Sequence, residues 1–210
     1  MAYEWGGGGR RIDPGDGYTY DAFISYRHEP DDRILLKPWI VEVVKRLDRW
    51  LGNGLGGRRA RLFFDTDSVH VADRWPDRLR EAIRTSRCLV PFLTPEYFQS
   101  PWCCLEWDSF VRRGRLAPSA GRLIAPLTLH DGASFPPEAR AIQTLDVRRL
   151  VGTTPAFWNT GRADELDQLL IAFGDDLAEV VKRAPPYRSD WPIAKKRTIA
   201  PPRNVPREDW

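Results

Sequence analysis

The sequence predicts a doubly wound α/β fold. Short, almost wholly apolar runs alternate with longer stretches of helical periodicity, and glycine- or proline-rich segments bracket the whole. Consecutive apolar positions are what a parallel sheet covered on both faces demands, because neither side of its strands meets water. Helices lying on such a sheet need apolar residues only along one stripe, at i, i+3, i+4 and i+7.

In chain order, Ala22-Phe23-Ile24 is the first buried run, and Ile40, Val43, Val44, Leu47 and Leu51 recur at helical spacing behind it. Leu62-Phe63-Phe64 follows, then a second helical stripe of Trp75, Leu79, Ala82 and Ile83. Cys88 to Leu93 is the longest apolar run, and Ser100-Pro101-Trp102 opens a third helix. Leu123 to Leu127 and a weaker Ile142 to Val147 complete five strands; Leu166, Leu169, Leu170, Phe173, Leu177, Val180 and Val181 form the last helix. In open sheets of this kind the ligand crevice lies beyond the carboxyl ends of the strands, where strand order reverses. The segments after Ser25, after Asp65 and after Leu93 should therefore meet there, and they carry Tyr26, Arg27 and His28, then Thr66 to Trp75, then Thr94 to Trp102.

Residues 1–17, with Gly6 to Gly9, Pro14, Gly15 and Gly17, read as a flexible lead that buries too little apolar surface to offset its ordering entropy. Residues 184–210 read as a proline-rich basic tail or linker, whose Tyr187, Trp191 and Trp210 are available to dock on the body or on another domain. Eight basic residues against three acidic ones between Lys182 and Trp210 concentrate the positive charge in that tail and leave the body slightly acidic. No specific nucleic-acid partner is therefore expected. Cys88, Cys103 and Cys104 make an odd count without paired spacing, which suits neither a disulfide framework nor a zinc site and fits a reducing cytoplasm. No membrane span is expected, since no apolar stretch approaches ~18 residues.

Four stretches, Tyr20-Asp21-Ala22-Phe23-Ile24-Ser25-Tyr26-Arg27, Phe63-Phe64-Asp65, Ala82-Ile83-Arg84-Thr85-Ser86-Arg87 and Ser100-Pro101-Trp102-Cys103-Cys104-Leu105-Glu106, resemble the successive signature boxes of a TIR (Toll/interleukin-1 receptor) domain of bacterial type. The resemblance covers residues 18–183 and implies a flavodoxin-like fold, a five-stranded parallel sheet with helices on both faces. It also implies an NAD+ glycohydrolase or cyclase that releases nicotinamide, with NAD+ as substrate and no cofactor, acting in bacterial immune signalling or NAD+ depletion. Glu106 matches the catalytic glutamate, Trp102 the aromatic of the W-x-x-x-E element, Asp65 the acidic residue ending the second strand, and Tyr26 and Arg27 the loop that holds the dinucleotide. Trp75 matches the tryptophan closing the loop after the second strand. That loop departs from the family, for Val71-Ala72 stands where a glycine is usual, and alanine disfavours positive φ. Self-association through TIR-TIR contacts and a separate sensor or activator protein are the implied partners. A non-catalytic TIR scaffold is the rival implication.

The chemistry that the resemblance implies asks for few groups. Departure of nicotinamide from NAD+ converts a cationic ring into a neutral one, so the leaving group needs no general acid. One carboxylate beside the ribose suffices to stabilise the oxocarbenium-like charge. On spacing alone, Glu106 is either that carboxylate or a helix-surface residue paired with Arg112 or Arg113. Trp102, one turn before it and roughly 6 Å away at Cβ, is either a core residue or a wall of the same cleft, while Asp108 points elsewhere. Arg27 suits either pyrophosphate or a pair with Asp31 or Asp32. Gly52-Asn53-Gly54-Leu55-Gly56-Gly57 satisfies G-x-G-x-x-G, but it ends a helix and precedes a strand, the reverse of a phosphate-binding fingerprint. Cys103 and Cys104 read as small buried residues, with no histidine placed to activate them, and His28, His70 and His130 lack metal-ligand spacing. A phosphoacceptor receiver is set aside because Ser25-Tyr26-Arg27 stands where its acidic pair would be.

Overall fold

A computed structural model describes residues 3–5, 16–28, 36–65 and 75–197. Strands β1 (Tyr3–Trp5), β2 (Tyr20–Ser25), β3 (Leu62–Phe64), β4 (Ser86–Leu93), β5 (Leu127–Thr128) and β6 (Leu145–Asp146) form one sheet in the order β1-β3-β2-β4-β5-β6. The last five are parallel, as the apolar runs require, and the pairing of β2 with β3 sets Ala22 opposite Leu62 and Ile24 opposite Phe64. The lead contributes one element the sequence reading did not supply. Tyr3–Trp5 pairs antiparallel with β3 and covers what would otherwise be an open sheet edge.

Alternation along the strands divides the core between two faces. Ala22, Ile24, Leu62, Phe64, Cys88, Val90 and Phe92 pack against α1 (Lys37–Gly54) and α5 (Gly161–Lys182). Phe23, Phe63, Leu89 and Leu93 pack against α2 (Trp75–Thr85) and α3 (Pro101–Leu116). The predicted stripes account for this layering: Ile40, Val43, Val44, Leu47 and Leu51 of α1 are buried, as are Leu79, Ala82 and Ile83 of α2 and Leu166, Leu170, Leu177 and Val181 of α5.

The glycine run after α1 serves packing and turning. A Cβ on Gly54 would lie 2.8 Å from Cβ of Ala178 in α5, and Gly56 (φ +78°) and Gly57 (φ +81°) carry the chain out of the helix through the left-handed region. At the amino end of β2, Asp21 is fully buried and receives a two-pronged guanidinium contact from Arg58 (2.7 and 2.8 Å) and the Arg61 amide (2.9 Å). Burial alone would raise its pKa; the hydrogen bonds from Arg58 and Arg61 outweigh that and hold it below the ordinary carboxylate value.

β5 and β6 are shorter than their apolar runs. Leu123 and Ala125 exchange backbone bonds with Leu89 at 2.9 Å, but Pro126 has no N–H to donate and the regular ladder resumes only at Leu127. The connection that follows holds a single short helix, α4 (Pro137–Arg140), before β6.

Residues 184–197 pack on the body, one of the two dockings open to the aromatics of the tail. Trp191 and Ala194 are buried, Tyr18 donates to the Pro185 carbonyl (2.9 Å), and the Trp191 indole donates to the Tyr18 hydroxyl (3.2 Å). Arg113 of α3 lies between the rings of Phe110 and Trp191 and donates to the carbonyls of Ser86 (2.5 Å) and Ile83 (2.8 Å). Enclosure away from water lowers its pKa to about 10. The family resemblance gave no signal for this, because a single tryptophan in a proline-rich segment carries no period.

Candidate functional site

Strand order reverses between β2 and β4, and a cleft of about 150 Å³ lies beyond their carboxyl ends. Three segments meet there: Ser25, Tyr26 and His28 at the end of β2, Asp65 just after β3, and Ser100, Trp102, Cys103 and Glu106 at the start of α3, with Leu79 of α2 closing the side. Ser100 caps α3, its hydroxyl accepting from the Cys103 amide (3.3 Å) while Pro101 occupies the first turn. That fixes the first turns of α3 over the sheet edge, so Trp102 and Glu106 line the same cavity.

Glu106 is 7% exposed, too little for the surface residue that spacing alone allowed, and it pairs with neither Arg112 nor Arg113. The Ser25 hydroxyl donates to Glu106 Oε2, and the Tyr97 hydroxyl lies 2.6 Å from Ser25 Oγ. With the Ser25 proton engaged on the carboxylate, Tyr97 donates to Ser25, and a chain of two hydroxyls orients one carboxylate. Burial pushes Glu106 up to about 8; the Ser25 bond opposes this and the negative charge of Asp65 adds to it. Burial also raises the Tyr97 phenol well above its ordinary value.

The other predicted residues divide. Tyr26, Asp65 and Trp102 line the cleft with Glu106; Tyr26 is 6% exposed, stacks against His28 (4.3 Å between centroids), and burial and Asp65 raise its pKa. Arg27 is not among the lining residues. Its guanidinium donates to the Glu96 carbonyl (2.9 Å), tying the segment after β2 to the one after β4. Trp75 opens α2, and its side chain, like Ala72, Asp31, Asp32, His70 and the rest of the loop after β3, lies outside the described residues. Asp108 indeed points elsewhere, pairing with Arg197. Ser25 and Tyr97 went unremarked in the sequence. Ser25 was findable, because two positions after Phe23 on a strand its side chain falls on the face that α3 covers.

Burial raises the Cys103 thiol well above its ordinary value and also raises that of Cys104, so both keep their protons, and the Cys103 Sγ donates to the Tyr26 carbonyl at 3.6 Å. Among the described residues there is no group of three or more His, Cys, Asp or Glu able to hold a metal ion, and no helix long and apolar enough to cross a membrane.

A family model described as a TIR domain matches residues 23–157. Among solved structures, the chain is similar to the TIR domain of the Toll-related receptor TRR-2 from Hydra magnipapillata, with 20% identity over 70% of this chain and 98% of that one, at a TM-score of 0.39. It is also similar to the TIR domains of the activated Roq1 resistosome directly recognising the pathogen effector XopQ, with 20% identity over 78% and 84%, at a TM-score of 0.36. No curated protein matches it.

Proposed function

We propose that this chain, which belongs to the TIR domain family, cleaves the bond between nicotinamide and ribose in NAD+, with Glu106 as the group that stabilises the ribosyl cation. The observation that carries this is a buried carboxylate, oriented by Ser25 and Tyr97, in a cleft whose walls include Trp102, Tyr26 and a second buried carboxylate, Asp65. As the bond breaks, positive charge moves from the pyridinium ring to the sugar carbon. A preorganised carboxylate in a water-poor site gains most from charge that develops there. With a pKa of about 8 the resting group is largely protonated at neutral pH, and a cationic ring beside it favours the ionised form.

The size of the cleft limits how much substrate one chain encloses. A cavity near 150 Å³ takes one ring, as an engineered cavity of about that volume takes benzene, whereas sites for whole drug-sized ligands run from about 300 Å³ upward. The nicotinamide ring therefore enters, with the bond to be cleaved at the cavity mouth, and the rest of the dinucleotide lies against surfaces outside it. This suits completion of the site by a second copy, the self-association expected of the family, with a separate sensor or activator to bring copies together. The same small volume favours a second reading, a TIR scaffold that signals only by association, in which Glu106 has no substrate. Nicotinamide release from NAD+ by clustered wild-type protein, lost in Glu106→Gln, supports the enzyme; no turnover in forced assemblies selects the scaffold. Linear, cyclic and exchanged products all follow from the same bond cleavage, and chromatography of the products distinguishes them.

A further inference from the structure

The C-terminal segment reaches the cleft. From Trp191 it runs along the same stripe of α3 that carries Glu106: Trp191 packs on Arg113, the Ala194 amide donates to Ser109 Oγ (2.9 Å), and the Lys196 ammonium lies 3.1 Å from the centroid of the Trp102 ring. Residues 102, 106, 109 and 113 are spaced at four, three and four, one face of a helix. The segment therefore travels antiparallel to α3, from its carboxyl end toward the cleft. Arg197 holds the far side, its Nε donating to Asp108 Oδ2 at 2.7 Å, so Lys196 sits between two anchors, at 194 and 197. Lys196 is also close enough to Arg80 of α2 for that charge, after burial, to lower its pKa. The Trp102 ring that the ammonium covers lines the cleft, as does Leu79 of α2.

We propose that Lys196 is a resident cation on Trp102 that competes with a cationic pyridinium ring for that indole. This rests on the reading of the cleft as the seat of the nicotinamide end of NAD+. An indole face attracts one cation through its ring quadrupole. If the incoming ring uses the face that Lys196 covers, the two exclude one another; if it uses the opposite face, two like charges stand on either side of one ring and repel. Both placements give the same sign. Lys196 weakens binding of the charged ring in both, and of a neutral nicotinamide ring, which carries no charge to repel, only where that ring must take the covered face. It is a specificity residue acting through Trp102, set in place by a segment that the family match does not include.

The test uses the full chain and its Lys196→Met and Lys196→Arg variants, each with an unchanged thermal unfolding midpoint. Each is titrated with an N-methylated nicotinamide cation and with neutral nicotinamide, and the indole N–H resonance of Trp102, assigned by Trp102→Phe, reports binding. Lys196→Met should bind the cation about 2- to 30-fold more tightly than wild type, the span of a cation–π contact from exposed to desolvated. An affinity for neutral nicotinamide that changes less than twofold assigns the incoming ring to the opposite face, an equal gain for both rings assigns it to the covered face, and Lys196→Arg should behave as wild type. Equal or weaker cation binding by Lys196→Met overturns the proposal, as does the absence of binding by any variant; a rise in KM for NAD+ in Lys196→Met would instead make Lys196 a phosphate contact. The NAD+ turnover assay is separate: no turnover together with the predicted shift in cation binding removes the enzymatic reading and leaves the competition standing.

Discussion

Glu106→Gln separates what the site does from what it does to the fold. The substitution keeps size and shape, leaves an amide oxygen to accept from Ser25, and removes the ionisable group. In the native chain Glu106 is raised from 4.5 to about 8, chiefly by burial. For a group whose native pKa lies above its unfolded one, the stabilising contribution is complete below the unfolded value and disappears as pH rises to the native one. Native Glu106 keeps its proton from about pH 4.5 to 8 while the unfolded chain gives it up, so stability falls by about 1.4 kcal/mol per pH unit over that window and levels off above it. The accumulated loss is about 3 kcal/mol at pH 7 and at most about 5 kcal/mol from pH 8 upward. Glu106→Gln escapes it. Urea unfolding of wild type and variant at pH 5, 6, 7 and 8 should therefore give a stability difference that grows in favour of the variant by several kcal/mol. Contributions from Asp21 and the other carboxylates remote from Glu106 cancel in the difference. The variant should at the same time lose nicotinamide release by about 10²-fold or more, as removal of one charge-stabilising group does in other active sites. A stability difference flat across that range would refute the burial argument, and with it the picture of a desolvated carboxylate waiting for a cation.

Ser25→Ala removes the hydrogen bond that lowers the Glu106 pKa, so the midpoint of the kcat/KM profile should move about one pH unit to the alkaline side; an unmoved or acid-shifted profile contradicts the assigned bond. Trp191→Ala should lower the urea-derived stability by about 3–5 kcal/mol, as for a buried aromatic, whereas a linker tryptophan would change it by less than about 0.5 kcal/mol. Gly174→Ala should destabilise by about 1–3 kcal/mol, because a Cβ there would lie 2.7 Å from Trp50 Cβ and 2.9 Å from its carbonyl carbon. Helix propensity alone predicts the opposite sign by about 1 kcal/mol, so a raised unfolding midpoint would show that α5 shifts away from α1 to make room.

The parts of the fold that were legible in the sequence are those with a local period. The runs at Ala22, Leu62 and Cys88 locate β2, β3 and β4 because burial on both faces leaves no polar position to blur them. Pro126 was readable as a missing donor, yet its effect on the ladder depends on which neighbour faces it, and that is set by tertiary pairing. At the site, the spacing of Trp102 and Glu106 on one helix and the place of Asp65 just past a strand depend on short stretches of chain, and all three line the cleft. Arg27 could not be placed this way. A guanidinium takes whichever acceptor the fold presents, and here it is the carbonyl of Glu96, 69 positions away. The contacts of residues 191–197 with α3 span about 80 to 90 positions and join a proline-rich segment to polar helix residues, a combination with no periodic trace.

Burial of Glu106 explains two properties that otherwise pull apart. A carboxylate exposed to water would be ionised at neutral pH, but screening would leave it little hold on a sugar cation. Set behind Ser25 and Tyr97, it acts through a low dielectric, and the same desolvation raises its pKa and draws down stability as pH rises. What holds the helix that carries it must then come from elsewhere, and α3 is held beyond the cleft as well. Arg113 binds the carbonyls of Ser86 and Ile83, Trp191 closes over Arg113, and the backbone of Ala194 takes up Ser109. Each of these lies on the stripe of α3 that includes Glu106, one or two turns further along. The segment after α5 is on this argument part of the machinery that keeps an unfavourably buried acid in position, and its last described turn brings a cation to the wall where the substrate's own charge would rest.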